Sequence, residues 1–475
     1  MSGGKQPSLG YLRQAGPSST KRLFGDTAAA DPATPANKQV KMAPLFQKNV
    51  PVDHTISRLG VTSGAKGFVH FVFEHPKPSP KIAAFDIDGT LIVTRSGHKF
   101  PKDKDDFKFW SQPEVRDKIR AAYDDGFAIV LISNQAGSPG QQKAFEGKLP
   151  LLSRQLKVPL RAFAALGRDV YRKPATAIWD EFVANFNGGI PIDYTKSYYV
   201  GDAAGRAGDH ADTDRKFALN CGLPFLTPEE YFKGAPASQD YVLGGFDPKA
   251  YDHSQPLFTP TSRPLLPHRT SEFDDDPIEV VIFVGSPGAG KSSFFQKHFA
   301  PRGYVHINQD TLKTRDACVK ALRQTLSSTP PRPCVIDNTS PARSTREVYL
   351  SILRTEFPNV KARCFVFTAS REVCMHNSVY RACYEPIDPV NGKKREVLPD
   401  IAFSAFASNF ERPTLEEGFE EIKHIQFKFE GTPEQRTKWE RWLIDVYKVP
   451  KLPTVPKSLK STNPFNLASN RGKKQ

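Results

Sequence analysis

The eight residues Gly285-Ser-Pro-Gly-Ala-Gly-Lys-Ser292 fit the pattern G-x-x-x-x-G-K-[ST] and lie between the apolar run 280–284 and a helical stretch that opens at Ser292. Such a loop works only when a buried strand delivers it and a helix N-terminus receives it, because its backbone N–H groups must converge on one anion. The same grammar occurs earlier, where the apolar run 81–85 passes straight into Asp86-Ile-Asp-Gly-Thr90. Runs at 68–73, 81–85, 127–132 and 197–200 surround this earlier motif, with a helical stretch at 113–123 and a mixed helical region to about 187. Runs at 280–284, 304–307, 334–336 and 364–367 surround the later one, which closes with a helix at 433–447. Strands alternating with helices predict the α/β class, as two doubly wound parallel-sheet domains.

The expected boundaries follow from composition. Residues 1–64 are rich in Pro, Ser, Ala and Gly without a sustained period and read as a disordered basic region, order beginning near Gly67. The first domain is expected at 65–235. A linker follows at 236–276, ending in the acidic Asp274-Asp-Asp276, then a second domain at 277–447 and a basic tail at 448–475. The net charge of +15 resides mainly in the ends: residues 1–50 carry seven Lys/Arg and two Asp, and 448–475 carry seven Lys/Arg and no acid. Basic ends suit a polyanionic partner such as nucleic acid, although soluble flexible ends would look alike. Within them, Lys21-Arg-Leu-Phe-Gly25 resembles a cyclin-docking motif and Gln39-x-x-Met42-x-x-Leu45-Phe46 a sliding-clamp-binding box, patterns short enough to arise often by chance.

Other classes are disfavoured. No window approaches the roughly 18 apolar residues of a membrane helix, and the N-terminus has no apolar signal core, so neither a membrane nor an exported protein is expected. Six cysteines form no CxxC pair, which argues against a structural zinc and fits a reducing compartment.

Asp86 and Asp88 stand two residues apart at the carboxyl end of a strand, where open α/β sheets bind ligands. Side chains two apart on extended chain share a face, so one carboxylate can attack a phosphorus while the other protonates the leaving oxygen. Gly89 permits the sharp turn between them and the substrate. The segment resembles the first motif of the haloacid-dehalogenase phosphatases, and the rest of that set follows in order. Ser133, with Asn134 and Gln135 behind it, matches the phosphate binder; Lys173 in Tyr171-Arg-Lys-Pro174 matches the neutralising lysine; Asp202 in Gly201-Asp-Ala-Ala-Gly-Arg206 matches the metal-binding acid. Asp214 supports that site in this reading. The resemblance implies in-line attack by Asp86 to form an aspartyl-phosphate, with Mg²⁺ held by Asp86, Asp202 and the Asp88 carbonyl.

In the second motif, Gly285, Gly288 and Gly290 shape the loop, Lys291 reaches the terminal phosphates of ATP, and Ser292 ligates Mg²⁺. Asp310, after the second strand of this unit, is the expected base for an acceptor hydroxyl, against the alternative of a helix N-cap. Asp337 follows an apolar strand as a nucleotide-site acid does, against a plain strand-end turn. Arg381 is the expected lid arginine, against a surface helix position.

A haloacid-dehalogenase-type phosphatase followed by a P-loop NTPase kinase resembles the bifunctional polynucleotide 5′-kinase/3′-phosphatases, over about 67–447, through strings such as Ser133-Asn-Gln, Phe217-Ala-Leu-Asn220, Val335-Ile-Asp-Asn-Thr339 and Pro413-Thr-Leu. The resemblance implies removal of 3′-phosphates and ATP-dependent phosphorylation of 5′-hydroxyls at broken DNA ends, in the nucleus, by a monomer that meets other repair proteins through its tails. There are departures. The 64 residues before the first domain are too few for the forkhead-associated domain of the animal enzymes, which points to a fungal-type member, and Gln309 stands where arginine is usual. RNA end healing, a phosphatase with a decayed kinase, and a non-catalytic scaffold are the alternatives; the intact acids argue against the last.

Overall fold

The computed structural model describes residues 53–62, 65–267, 278–386 and 395–445. The two basic ends, both short docking-like motifs and the acidic Asp274-Asp-Asp276 lie outside the described residues.

Strands are numbered in chain order. The first sheet takes β1 (His54–Leu59), β2 (Phe68–Phe73), β3 (Ile82–Phe85), β6 (Ala128–Asn134), β7 (Leu160–Ala165), β8 (Tyr198–Val200) and β9 (Phe225–Leu226), in the order β1-β2-β7-β6-β3-β8-β9. A small ribbon of β4 (Ile92–Val93) and β5 (Lys108–Phe109) stands apart from it. The second sheet takes β10 (Phe258–Thr259), β11 (Glu279–Val284), β12 (Val305–Ile307), β13 (Cys334–Ile336), β14 (Lys361–Phe367) and β15 (Glu421–Ile425), in the order β10-β15-β14-β11-β13-β12. Both sheets are parallel at the centre; β1, β2 and β10 pair antiparallel at the edges. The strand bearing each motif, β3 or β11, is flanked by parallel neighbours on both sides.

Burial on both faces explains why these strands read as unbroken apolar runs. On β11, Val280, Ile282 and Val284 pack with Cys318, Leu322 and Leu350 on one face, while Val281 and Phe283 pack with Phe294, Phe299 and Cys374 on the other. Around the first sheet, Val115, Ile119, Leu149 and Leu152 cover one face, and Ile178, Trp179, Phe217 and Ala218 cover the other. Among the described residues no helix is long and apolar enough to cross a membrane.

Four expectations need correction. Strand β1 lies inside the region read as disordered; its central residues are exposed, so backbone pairing with β2 holds it, and no burial pattern announces it. The region read as mixed helix contains β7, whose Leu-Arg-Ala-Phe-Ala-Ala is buried on both sides and lacks alternation. The stretch read as a linker packs on both halves: Tyr241 lies under the Arg215 guanidinium at 3.8 Å, Gly244 N–H donates to Asp212, and β10 pairs with β15. The last helix ends at Trp439, and residues 440–445 leave it as a strap.

Candidate active sites

The first site forms at the carboxyl end of β3. Asp86 is buried at 6% exposure, and its Oδ1 accepts from Lys173 Nζ at 2.6 Å. Lys173 Nζ also lies 2.7 Å from Asp214 Oδ1 and 2.8 Å from both the Tyr199 hydroxyl and the Ile132 carbonyl. Burial opposes its ammonium, but Asp214 and Asp86 outweigh that and raise its pKa. Burial likewise lifts Asp86 to about 7, Lys173 pulling it back. Asp202 is held well above the carboxylate range by burial and by repulsion from Asp86 and Asp214. Carboxylate oxygens of Asp86, Asp202 and Asp214 lie within 4.8 Å of one another. Crowded hard oxygen donors of this kind fit Mg²⁺, whose charge would relieve that repulsion. Asp214 spends Oδ1 on Lys173 and Oδ2 on the Ala203 N–H at 3.0 Å, which leaves Asp86 and Asp202 for a cation.

Glycine is required twice here. Gly89, at φ +88°, would set a Cβ 2.3 Å from Asp202 Oδ2, and a Cβ on Gly201 would meet Asp214 at 2.5 Å. Both positions keep the acids close to the backbone.

Asp88 sits at the rim, its side chain 46% exposed, accepting from Gln135 Nε2 at 2.6 Å. The same Gln135 amide reaches the Ser133 hydroxyl at 2.9 Å, so Ser133 and Asp88 are tied together. Asn134, expected to bind phosphate, lines the cavity but spends its amide on the Lys173 peptide: Nδ2 donates to the Lys173 carbonyl at 3.1 Å, and Oδ1 accepts its N–H at 2.9 Å. Three further residues beside this site were not legible in the sequence. Lys148 lies 3.5 Å from Asp88 from a helix 60 residues on; Arg172 and Asp445 line the cavity from a loop and from the strap.

The second site forms beyond β11. Gly288, at φ +78°, leaves room for the Cys374 carbonyl, which a Cβ would meet at 2.4 Å. Lys291 Nζ donates to the Gly285 and Ser286 carbonyls at 2.9 Å, and burial lowers its pKa. Ser292 Oγ donates to Asp337 Oδ2 at 2.6 Å, and His306 Nε2 lies 2.9 Å from the same oxygen. Burial pushes Asp337 upward, but His306, Ser292 and Lys291 outweigh it and hold the acid ionised. Its other oxygen is buried without a hydrogen-bond partner, as suits an acid reserved for a cation beside Ser292.

Capping does not explain Asp310. Asn308 caps that helix, its side chain accepting from the Thr311 N–H at 3.2 Å, and Asp310 is exposed on the wall of a 610 Å³ cavity with Lys291, Ser292 and Asp337. Arg381 borders both this cavity and a neighbouring one of 720 Å³, and pairs with Glu385 at 3.1 Å. The larger cavity is lined by Tyr380, Phe427, Phe429 and Trp439 beside the loop glycines. Asn377, also unforeseen, donates to the Gly288 carbonyl at 3.0 Å and accepts from the Trp439 indole at 2.8 Å.

Residues 81–232 match the polynucleotide kinase 3 phosphatase family, and residues 280–413 match an AAA domain family. A bifunctional polynucleotide phosphatase/kinase of Schizosaccharomyces pombe is 37% identical over 372 residues, covering 77% of this chain and 84% of the relative. The chain belongs to the bifunctional polynucleotide phosphatase/kinase family. It is a two-part enzyme, a polynucleotide phosphatase half followed by a kinase half. A putative bifunctional polynucleotide phosphatase/kinase of Acanthamoeba polyphaga mimivirus is 29% identical, over 76% of this chain and 88% of the relative. A polynucleotide 3′-phosphatase of Arabidopsis thaliana is 40% identical over 173 residues, 32% of this chain and 24% of the relative.

Proposed function

We propose that this enzyme repairs broken DNA ends in the nucleus, as a monomer, removing terminal 3′-phosphates in one half and phosphorylating 5′-hydroxyls from ATP in the other. One observation carries the reading: each sheet presents its own reactive acid beside its own phosphate-neutralising lysine, Asp86 with Lys173 and Asp310 across the cavity from Lys291.

In the phosphatase half, Asp86 attacks the phosphorus in line and becomes an aspartyl-phosphate, while Asp88 at the rim protonates the leaving alkoxide and then takes a proton from water. Lys173 and the Ser133 hydroxyl face the phosphoryl oxygens. Mg²⁺, held by Asp86 and Asp202 with the Asp88 carbonyl, would supply charge that keeps the nucleophile ionised. The cavity measures about 130 Å³, a size that suits a phosphoryl group at a strand end.

In the kinase half, Lys291 and the loop N–H groups hold the terminal phosphates of ATP, and Ser292 with Asp337 would hold its Mg²⁺. Asp310 accepts the proton of the 5′-hydroxyl, and Arg381 neutralises the transferring group. The 720 Å³ cavity, where Phe427, Phe429 and Tyr380 stand beside Gly288 and Gly290 of the loop, offers aromatic faces on which the adenine can stack. The basic tails add affinity for the polymer and offer contacts to other repair proteins.

The test supplies Mg²⁺, ATP and oligonucleotides with 3′-phosphate or 5′-hydroxyl ends, in DNA and RNA versions. Both activities on DNA are expected; preference for RNA, or loss of 3′-phosphate without 5′ labelling, would overturn the respective part.

A further inference from the structure

The strap 440–445 belongs to the kinase half by its root and to the phosphatase half by its contacts. At its root, Trp439 is fully buried, its indole bonded to Asn377 and its carbonyl 2.6 Å from His376 Nε2. Further on, Asn220 of the phosphatase half grips Trp442 by both backbone groups, at 2.7 Å and 2.5 Å, and with the same amide reaches the Pro174 carbonyl at 2.8 Å. Arg441 donates to the Thr176 hydroxyl at 2.8 Å. The loop carrying Arg172 and Lys173 is therefore clamped by the strap.

Asp445 extends this clamp into the phosphatase cavity. Its Oδ2 accepts from Arg172 Nε at 2.8 Å, both side chains about 15% exposed, and the two residues share the cavity wall with Asp86, Asp88 and Lys173. Its Oδ1 is buried without a hydrogen-bond partner. A buried carboxylate oxygen without a partner is costly to keep and is the kind of group a site retains to orient something. The group it bonds is Arg172, one residue from the neutralising lysine, while Lys216 feels its charge from further off. Resting on the phosphatase reading above, we propose that Asp445, contributed by the kinase half, is a positioning residue for the phosphatase: it fixes Arg172 at the cavity rim to receive the nucleotide that bears the terminal phosphate. A guanidinium held in advance loses less freedom on binding, so the benefit falls on substrate affinity rather than on the chemical step. The phosphoryl group itself is served by Lys173, Ser133 and Asp86. A small aryl phosphate, which has no neighbouring nucleotide, gains nothing from the arrangement.

The experiment compares KM and kcat on a 3′-phosphorylated oligonucleotide and on p-nitrophenyl phosphate, using full-length protein with Asp445→Ala, Asp445→Glu, Arg172→Ala and the Ala double variant. Asp445→Ala is expected to raise KM for the oligonucleotide about five- to tenfold, with kcat changed less than about twofold and no matching rise in KM for the aryl phosphate. Asp445→Glu should recover part of the loss, and Asp445→Ala should add nothing in the Arg172→Ala background. Kinase turnover reports folding, since the kinase chemistry uses neither residue. An unchanged or lowered KM, or equal losses on both substrates, would overturn the proposal. An Asp86→Ala control separates the failures: activity surviving there removes the phosphatase reading itself, whereas activity lost there beside an unchanged KM in Asp445→Ala removes only this inference.

Discussion

Replacing Lys173 with methionine removes one ammonium and leaves two carboxylates, Asp86 and Asp214, buried at 6% and 2% exposure without their shared cation. Breaking a buried ion pair from one side costs about 3–5 kcal/mol, because the remaining charge must be kept in a dry site or neutralised. For a half of this size each kcal/mol shifts the melting midpoint by about 2–4 °C, so Lys173→Met should lower the phosphatase transition by roughly 6–20 °C in EDTA. Adding Mg²⁺ should restore part of the loss, since a cation among Asp86 and Asp202 compensates the same charge. Adding Asp214→Asn should also restore stability, by removing one of the stranded charges, yet leave 3′-phosphatase activity at background because the ammonium that offsets the phosphate charge is gone. Calorimetry on the three proteins, with and without Mg²⁺, together with release of phosphate from a 3′-phosphorylated oligonucleotide, makes the comparison. A Lys173→Met protein as stable as the parent in EDTA would refute the charge argument.

Three further outcomes follow. In the kinase half, Lys291→Ala should weaken ATP binding measured by calorimetric titration, whereas Asp310→Ala should bind ATP normally and lose roughly 10²–10⁴-fold in 5′-hydroxyl phosphorylation; full activity in Asp310→Ala would move the base to another acid. Burial lowers His376 to about 4, so the fold keeps it neutral while the unfolded chain binds a proton below its ordinary value of 6.5. Stability should therefore fall as pH drops from 6.5 toward 4, by about 2 kcal/mol between pH 7 and pH 5, and urea midpoints should show a shallower fall in His376→Leu. Removing residues 1–50 and 448–475 should flatten the salt dependence of DNA binding and spare turnover at saturating substrate; collapse of saturated turnover would place the tails within the active fold.

Both motif-bearing loops were legible because each is contiguous and backbone-constrained: a buried strand, a glycine with positive φ, and acids or N–H groups within a few residues. The alternation of apolar runs gave the central strands for the same local reason. What escaped the sequence depends on contacts between distant segments. Lys148 reaches Asp88 only because its helix crosses the first sheet, and Asn377 reaches Gly288 across 89 residues. Asp445 lies 273 residues from Arg172, so no spacing rule connects them. Asn134 differs: its residue type suits phosphate and it lines the cavity, while its amide bonds the Lys173 peptide 39 residues away, a contact no spacing rule shows. The stretch 236–267 looked like a linker because its composition is that of a turn, while its aromatic residues Phe246 and Tyr251 pack around Trp439.

The central claim is that one chain carries two separate catalysts acting on opposite ends of a broken strand. One oligonucleotide bearing both a 5′-hydroxyl and a 3′-phosphate, incubated with Mg²⁺ and labelled ATP, tests it against the Asp86→Ala and Asp310→Ala proteins and an equimolar mixture of the two. Asp86→Ala should label the 5′ end and retain the 3′-phosphate, Asp310→Ala should remove the 3′-phosphate without labelling, and the mixture should process both ends. Loss of both activities in either folded variant would contradict the account.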